Sequence, residues 1–196
     1  ASLQHIESQP EGGVQIGAVV RLEDLLESHY LEGYPAIKQA IRGINSMQLQ
    51  AQGTLGGEIC QRPQCWYYRN GQGLTATGGQ TVVNGDNRHH AILGNSGPAK
   101  YVHASRLAPA LMVLDAHLRI VGPTTEDERI IPVAEFFRVP RQENQRQEDQ
   151  RQEDRPCHVL APNQLVTHIL LPPPPDGRGN AAYEVRHGEG PDYPLA

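Results

Sequence analysis

Hydrophobic periodicity in this chain is interrupted: it runs through residues 14–44, vanishes across 53–100 and returns between 105 and 171. A core must therefore be assembled from two flanks around a glycine-rich middle, because a segment without an apolar period has no face to bury. The middle carries the aromatic cluster Trp66-Tyr67-Tyr68. Such a stretch is either a functional wrap around a ligand or a long irregular loop. Composition agrees with one modest core and long polar connections: 38% of 196 residues are apolar, with 20 Gly and 16 Pro.

The formal charge is −5, with acidic and basic residues interspersed. That excludes the concentrated positive charge a nucleic-acid groove or a polybasic membrane patch requires. No apolar run approaches the roughly 20 residues of a membrane span. The sequence opens at Ala1 without an initiator Met or a signal-like segment, which reads as a piece of a longer chain. Of the three cysteines, Cys60, Cys65 and Cys157, one must remain unpaired, so reduced thiols in a cytoplasmic setting are expected.

Residues 14–18 alternate after the turn signal Pro10-Glu11-Gly12-Gly13 and predict a short strand. Leu22, Leu25 and Leu26 recur at helical spacing. A second helix follows, with Pro35 in its first turn, a stripe of Ile37, Ala40, Ile41 and Ile44, and Gly43 weakening its end. Beyond the middle, Ser105 caps a predicted helix with Leu107, Leu111 and Leu114 on one side. Residues 117–121 and 128–132 read as strands joined by Gly122-Pro123-Thr124-Thr125, and 164–171 as another. Residues 141–154 repeat a five-residue polar unit almost three times, with no apolar residue to offset ordering entropy. Four prolines from Pro172 form a stiff connector, and 181–196 begins like a strand.

Within the middle, Gly53-Thr54-Leu55-Gly56-Gly57 reads as a turn that lets a ligand approach the backbone, its N–H groups able to hold phosphate oxygens. Tight turns use the same residues. The turn belongs to an ordered set. Ile16-Gly17-Ala18 precedes it, and Cys60-Gln61-Arg62-Pro63-Gln64-Cys65-Trp66-Tyr67-Tyr68-Arg69 and His90-Ala91-Ile92-Leu93-Gly94 follow. Ser105 to Ala116, Ile131-Pro132-Val133-Ala134-Glu135-Phe136-Phe137 and the final Asp192-Tyr193-Pro194-Leu195-Ala196 complete it. This set resembles the flavin subunits of molybdopterin dehydrogenases, the xanthine dehydrogenase and aldehyde oxidoreductase family, in its branch with an extra iron–sulfur cluster.

The resemblance implies an α+β fold, an antiparallel sheet with flanking helices, equivalent to the second FAD-binding subdomain of such a subunit. That subdomain would span 1–140, with a polar loop insertion at 141–158, a last strand and Pro-rich connector at 159–175, and the start of a C-terminal domain at 176–196. FAD is implied for the complete subunit, gripped between this unit and a first subdomain outside the sequence. The implied partners are a molybdopterin-binding large subunit and a [2Fe-2S] small subunit, and the implied role is electron relay between iron–sulfur clusters and an acceptor. The cofactor-facing positions implied are Thr54, Gly56, Gly57, Ile92, Leu93 and Ser105. No catalytic acid, base or nucleophile is expected.

Four residues at three places depart from the family pattern. Gln50-Ala51 stands where Arg-Asn is usual, Glu58 where Asn is usual, and Arg106 where Asp is common. A lost cation and an added anion beside a pyrophosphate weaken binding, unless neighbours compensate. Cys60 and Cys65 match two of the branch's four cluster cysteines, whereas Thr75 and Val82 stand near where the others fall and cannot ligate iron as thiolates. The alternatives are a non-redox structural or assembly module of the same fold, and a small zinc site on Cys60, Cys65, His89 and His90.

Overall fold

In the computed structural model, the described residues are 2–62, 90–91, 93, 103–138, 157–174, 177 and 179–186. The polar repeat, Cys65, Trp66, His89, Ile92 and the final residues lie outside them. Five strands form one antiparallel sheet: β1 (Ile6–Ser8), β2 (Val14–Gly17), β3 (His117–Val121), β4 (Arg129–Pro132) and β5 (Leu165–Leu171). Their spatial order is β1-β2-β5-β3-β4. The strand latest in sequence therefore sits in the centre, pairing Ile169 with Ile16 on one side and with Leu118 on the other.

Alternation explains the core. Val14 and Ile16, Leu118 and Ile120, and Ile169 and Leu171 are all buried. Against them pack α1 (Leu22–Glu27), α2 (Pro35–Arg42), α4 (Leu55–Ile59), α5 (Leu107–Val113) and α6 (Val133–Phe136). These helices contribute Leu25, Ile37, Ile41, Leu55, Ile59, Leu107, Leu111 and Phe136. The expected helices and the strands predicted at 14–18, 117–121, 128–132 and 164–171 fall on these elements. The α+β architecture follows from that packing.

The structure adds three elements and changes two expectations. α3 (Met47–Gln52) buries no residue and so carries no apolar stripe to betray it; Ser46 caps it by accepting the Leu49 N–H at 3.3 Å. β1 is three residues long, and α6 is a single turn closed by hydrogen bonding of Val159 N–H to the Phe136 carbonyl at 2.9 Å. The expected Gly53–Gly57 turn is instead the start of a helix: Thr54 is the N-cap and both Gly56 and Gly57 lie within α4. Residues 181–186, expected to begin as a strand, run without ladder pairing along α2. Ala182 N–H donates to Gln39 Oε1 at 2.7 Å, and Asn180 receives the Ala36 N–H at 2.9 Å.

Candidate flavin cleft

Thr54 is placed by its backbone bridge to Arg21, at the edge where β2 gives way to α1. Its hydroxyl accepts the Gly57 N–H at 3.2 Å, a side-chain cap that satisfies one orphan donor of the helix. The Leu55 N–H goes to the Val20 carbonyl at 3.0 Å and the Gly56 N–H to the Ala18 carbonyl at 2.8 Å. The first-turn donors of α4 are therefore used within the protein. Gly56 is there for close packing: a Cβ on it would lie 2.8 Å from Ala18 Cβ and 2.9 Å from Ala18 O. Gly57 faces outward.

Outside Gly57 lies a cleft of about 360 Å³ between α3, α4 and the start of α5. Leu22, Ile44 and Leu49 form its apolar side, and Ser46, Gln52, Thr54 and Gln61 its polar side. Glu58 and Arg106 also line it, although both are buried residues. Glu58 Oε1 accepts the Arg106 backbone N–H at 2.8 Å, and Gln61 donates to its other oxygen. Burial raises the Glu58 carboxyl above its ordinary range, opposed by the Arg106 N–H, the Arg106 charge and Gln61. The Arg106 guanidinium donates to the Gly43 carbonyl at 2.7 Å and lies 3.9 Å from Glu184. Arg186 donates to the same Gly43 carbonyl and pairs with Glu184.

Two of the three departures seen in the sequence thus meet in space. Their signal was legible as a pair of exchanges of opposite sign, Glu58 and Arg106. The third has its own local use: Gln50 Nε2 donates to the Ile44 carbonyl at 2.8 Å and the Ile41 carbonyl at 3.3 Å, closing the end of α2.

The remaining expected positions scatter. Ser105 is buried, and its hydroxyl accepts the Ala108 N–H at 3.1 Å, capping α5 as foreseen. Leu93 is 77% exposed, while Ile92 falls outside the described residues. Burial pushes the Cys60 thiol up to about 11, so it is protonated at neutral pH. Cys65 and His89 fall outside the described residues, and among the described ones no group of three or more His, Cys, Asp or Glu stands together as a metal site.

The cleft fits part of a flavin. Its size lies within the range of small-molecule sites, and its mixed lining suits a flat ring with a hydrogen-bonding edge. It does not fit a pyrophosphate, since the α4 donors are already taken and a carboxylate lines the wall.

The family comparison settles what kind of domain this is. Residues 1–174 match the model of the FAD binding domain in molybdopterin dehydrogenase. The chain belongs to this family. FAD is the cofactor of such domains. The aldehyde oxidoreductase FAD-binding subunit PaoB of Escherichia coli (strain K12) is 29% identical over 181 residues, 90% of this chain and 54% of that protein. Reconstituted CO dehydrogenase from Oligotropha carboxidovorans superposes with a TM-score of 0.62 at 20% identity, covering 98% of this chain and 47% of that one. Carbon monoxide dehydrogenase from Hydrogenophaga pseudoflava, lacking the Mo-pyranopterin moiety, gives 0.61 at 19% identity, with the same coverage of 98% and 47%. These structures share the fold. The chain spans about half the length of the proteins it matches. No helix among the described residues of this FAD-binding domain is long and apolar enough to cross a membrane.

Next to the cleft, His103 offers a pH test of the geometry. Its Nδ1 accepts the Ser105 N–H at 3.0 Å, which requires a neutral ring. Burial, with a smaller contribution from His158, lowers it from 6.5 to about 4. On acidification the unfolded chain takes up the proton first, so the stabilisation is complete above 6.5 and is lost as pH falls towards 4. Urea midpoints measured at several pH values should fall across that window, and His103→Gln should flatten the fall. An unchanged slope in the variant would contradict the assignment.

Proposed function

We propose that this chain forms one wall of the FAD site in the flavin subunit of a molybdenum hydroxylase. The complete subunit relays electrons from iron–sulfur clusters through FAD to an acceptor, in a complex that oxidises an aldehyde or an N-heterocycle. The observation that carries this reading is the open cleft at Thr54 and Gly57 within a domain whose family binds FAD. The role of the Escherichia coli relative, an FAD-binding subunit of aldehyde oxidoreductase, supports it. Bound FAD supplies the redox chemistry, and the protein supplies placement and tuning.

In this reading Thr54 and Gly57 border the cofactor directly and Gly56 holds their helix against β2. Ser105 shapes the start of α5, and Ile92 and Leu93 run near the flavin. A first subdomain elsewhere in the parent grips the pyrophosphate. A molybdopterin-binding large subunit and a [2Fe-2S] small subunit complete the assembly, in the cytoplasm, where thiols such as Cys60 stay reduced. The divisions at 140, 158 and 175 belong to the same proposal.

The complete parent, purified with its partners, should show flavin absorption that bleaches when the complex is given an oxidisable aldehyde or N-heterocycle without oxygen. A second reading, a structural or assembly module without FAD, is favoured by the buried Glu58 at the cleft. A colourless protein that gains no flavin absorption on addition of FAD would establish it instead.

A further inference from the structure

We propose that residues 180–186 form a strap, hinged at Asn180 and latched by Arg106, that closes a groove between α2 and α5. The groove holds about 440 Å³ and is lined by Ala36 and Ala40 of α2, Met112 and Val113 of α5, and Ala182 and Tyr183 of the strap. Asn180, Ala182, Glu184 and Arg186 are half-buried, whereas Ala181, Tyr183 and Val185 are exposed, the alternation of an extended chain. Three of its four inward residues are polar. A segment held by polar contacts, without a ladder or a buried apolar face, opens at lower cost than the core beneath it.

Two glycines provide its seats, one at each end of α2. Before the helix, a Cβ on Gly33 would lie 2.9 Å from Pro174 Cγ. Here Asn180 donates to the Gly33 carbonyl at 3.1 Å and accepts the Ala36 N–H at 2.9 Å, capping α2 from 144 positions away. The Tyr34 hydroxyl donates to the Pro172 carbonyl at 2.6 Å and fixes the approach to this hinge. After the helix, a Cβ on Gly43 would lie 2.8 Å from Glu184 Oε1 and 2.9 Å from an Arg186 nitrogen. The Gly43 carbonyl accepts from both Arg106 and Arg186, and Glu184 pairs with Arg186.

The two ends differ in kind. Neutral hydrogen bonds and proline packing hold the first, whereas charges hold the second. The charged end is also short of full closure. Glu184 Oε1 is buried without a hydrogen bond, and Arg106 Nε stands 3.9 Å away, about one ångström beyond hydrogen-bond length. A buried carboxylate oxygen left unanswered costs free energy, which a small inward movement of the strap recovers. The yielding end is therefore the Glu184 end. Arg106, which stands where Asp is common in the family, lines both this groove and the cleft beside α4, so the latch is shared by two cavities.

Hydrogen exchange in the complete parent protein, purified with its partners, tests the device. In Glu184→Gln the Ala182 amide, held by Gln39, should exchange about tenfold faster, the factor expected for one lost charge-assisted hydrogen bond. The Ala36 amide, held by Asn180, and the amides of β5 should keep their rates. Arg106→Met should give the same pattern, and the two changes together should fall short of the product of their separate effects, because both remove one contact. Ala182 exchange unchanged in Glu184→Gln would overturn the latch. Ala36 accelerating together with Ala182 would overturn the hinge, and β5 amides accelerating as well would reduce the contacts to general stability and overturn both. Should Arg106→Met fail to fold, Glu184→Gln, on the strap outside the core, decides the matter alone.

Discussion

Gly56→Val is expected to unfold the domain, while Gly57→Val, one residue away, leaves it folded and weakens FAD uptake. At Gly56 the first added carbon meets Ala18 Cβ at 2.8 Å and the Ala18 carbonyl at 2.9 Å, and that carbonyl accepts the Gly56 N–H. Relief requires α4 to leave the sheet, which removes Leu55 and Ile59 from the core as well. Overpacking costs about 1–3 kcal/mol where side chains can shift, and a backbone obstacle puts this case at or beyond about 3 kcal/mol. At Gly57 the nearest atom is Thr54 Oγ1 at 3.0 Å, the end of a side chain that can turn aside. Its effect on stability should stay within about 1 kcal/mol, while the new side chain intrudes on the cleft. Urea unfolding separates the two, and a Gly56→Val protein with an unshifted midpoint would refute the packing role.

Phe136→Ala is expected to cost about 3–5 kcal/mol, the range for removing a fully buried phenyl ring. Phe136 has no exposed surface and anchors the one-turn helix α6. Its ring meets Phe137 edge-on at 5.2 Å and stacks with His158 at 5.4 Å, so its loss strips contacts from both partners of the Phe137–His158 bridge. Phe136→Leu, which refills most of the space, should recover more than half of the loss. A thermal or urea midpoint in Phe136→Ala close to that of the unaltered protein would show that the neighbouring residues collapse into the cavity.

Local chemistry made much of the fold legible. Pro35 opens α2 and Ser105 caps α5 because a fixed φ and an accepting hydroxyl act within one turn of sequence. Alternation marked the two flanks of the sheet for the same reason. α3 escaped because Met47 and Leu49 stay exposed, leaving no stripe to read. α4 escaped because two glycines in five residues imitate a turn; its helix is held by Thr54 from below and by Ala18 and Val20 from β2's end. At the cleft, the motif positions were readable but their division of labour was not. Gly56 packs inward and Gly57 faces outward, a difference set by a neighbouring strand edge that the local sequence does not contain.

The sequence by itself determined the elements with strong periods, the glycine and threonine positions of the α4 start, and the family resemblance carried by their order. Short-range sterics and hydrogen bonding settle those within a few residues. Tertiary structure alone decided that β5 occupies the centre of the sheet, that the segment from Asn180 to Ala182 lies along α2, and that Glu58 meets Arg106 across 48 positions of sequence. Such contacts depend on which faces remain once the core has closed, and that is a property of the packed whole.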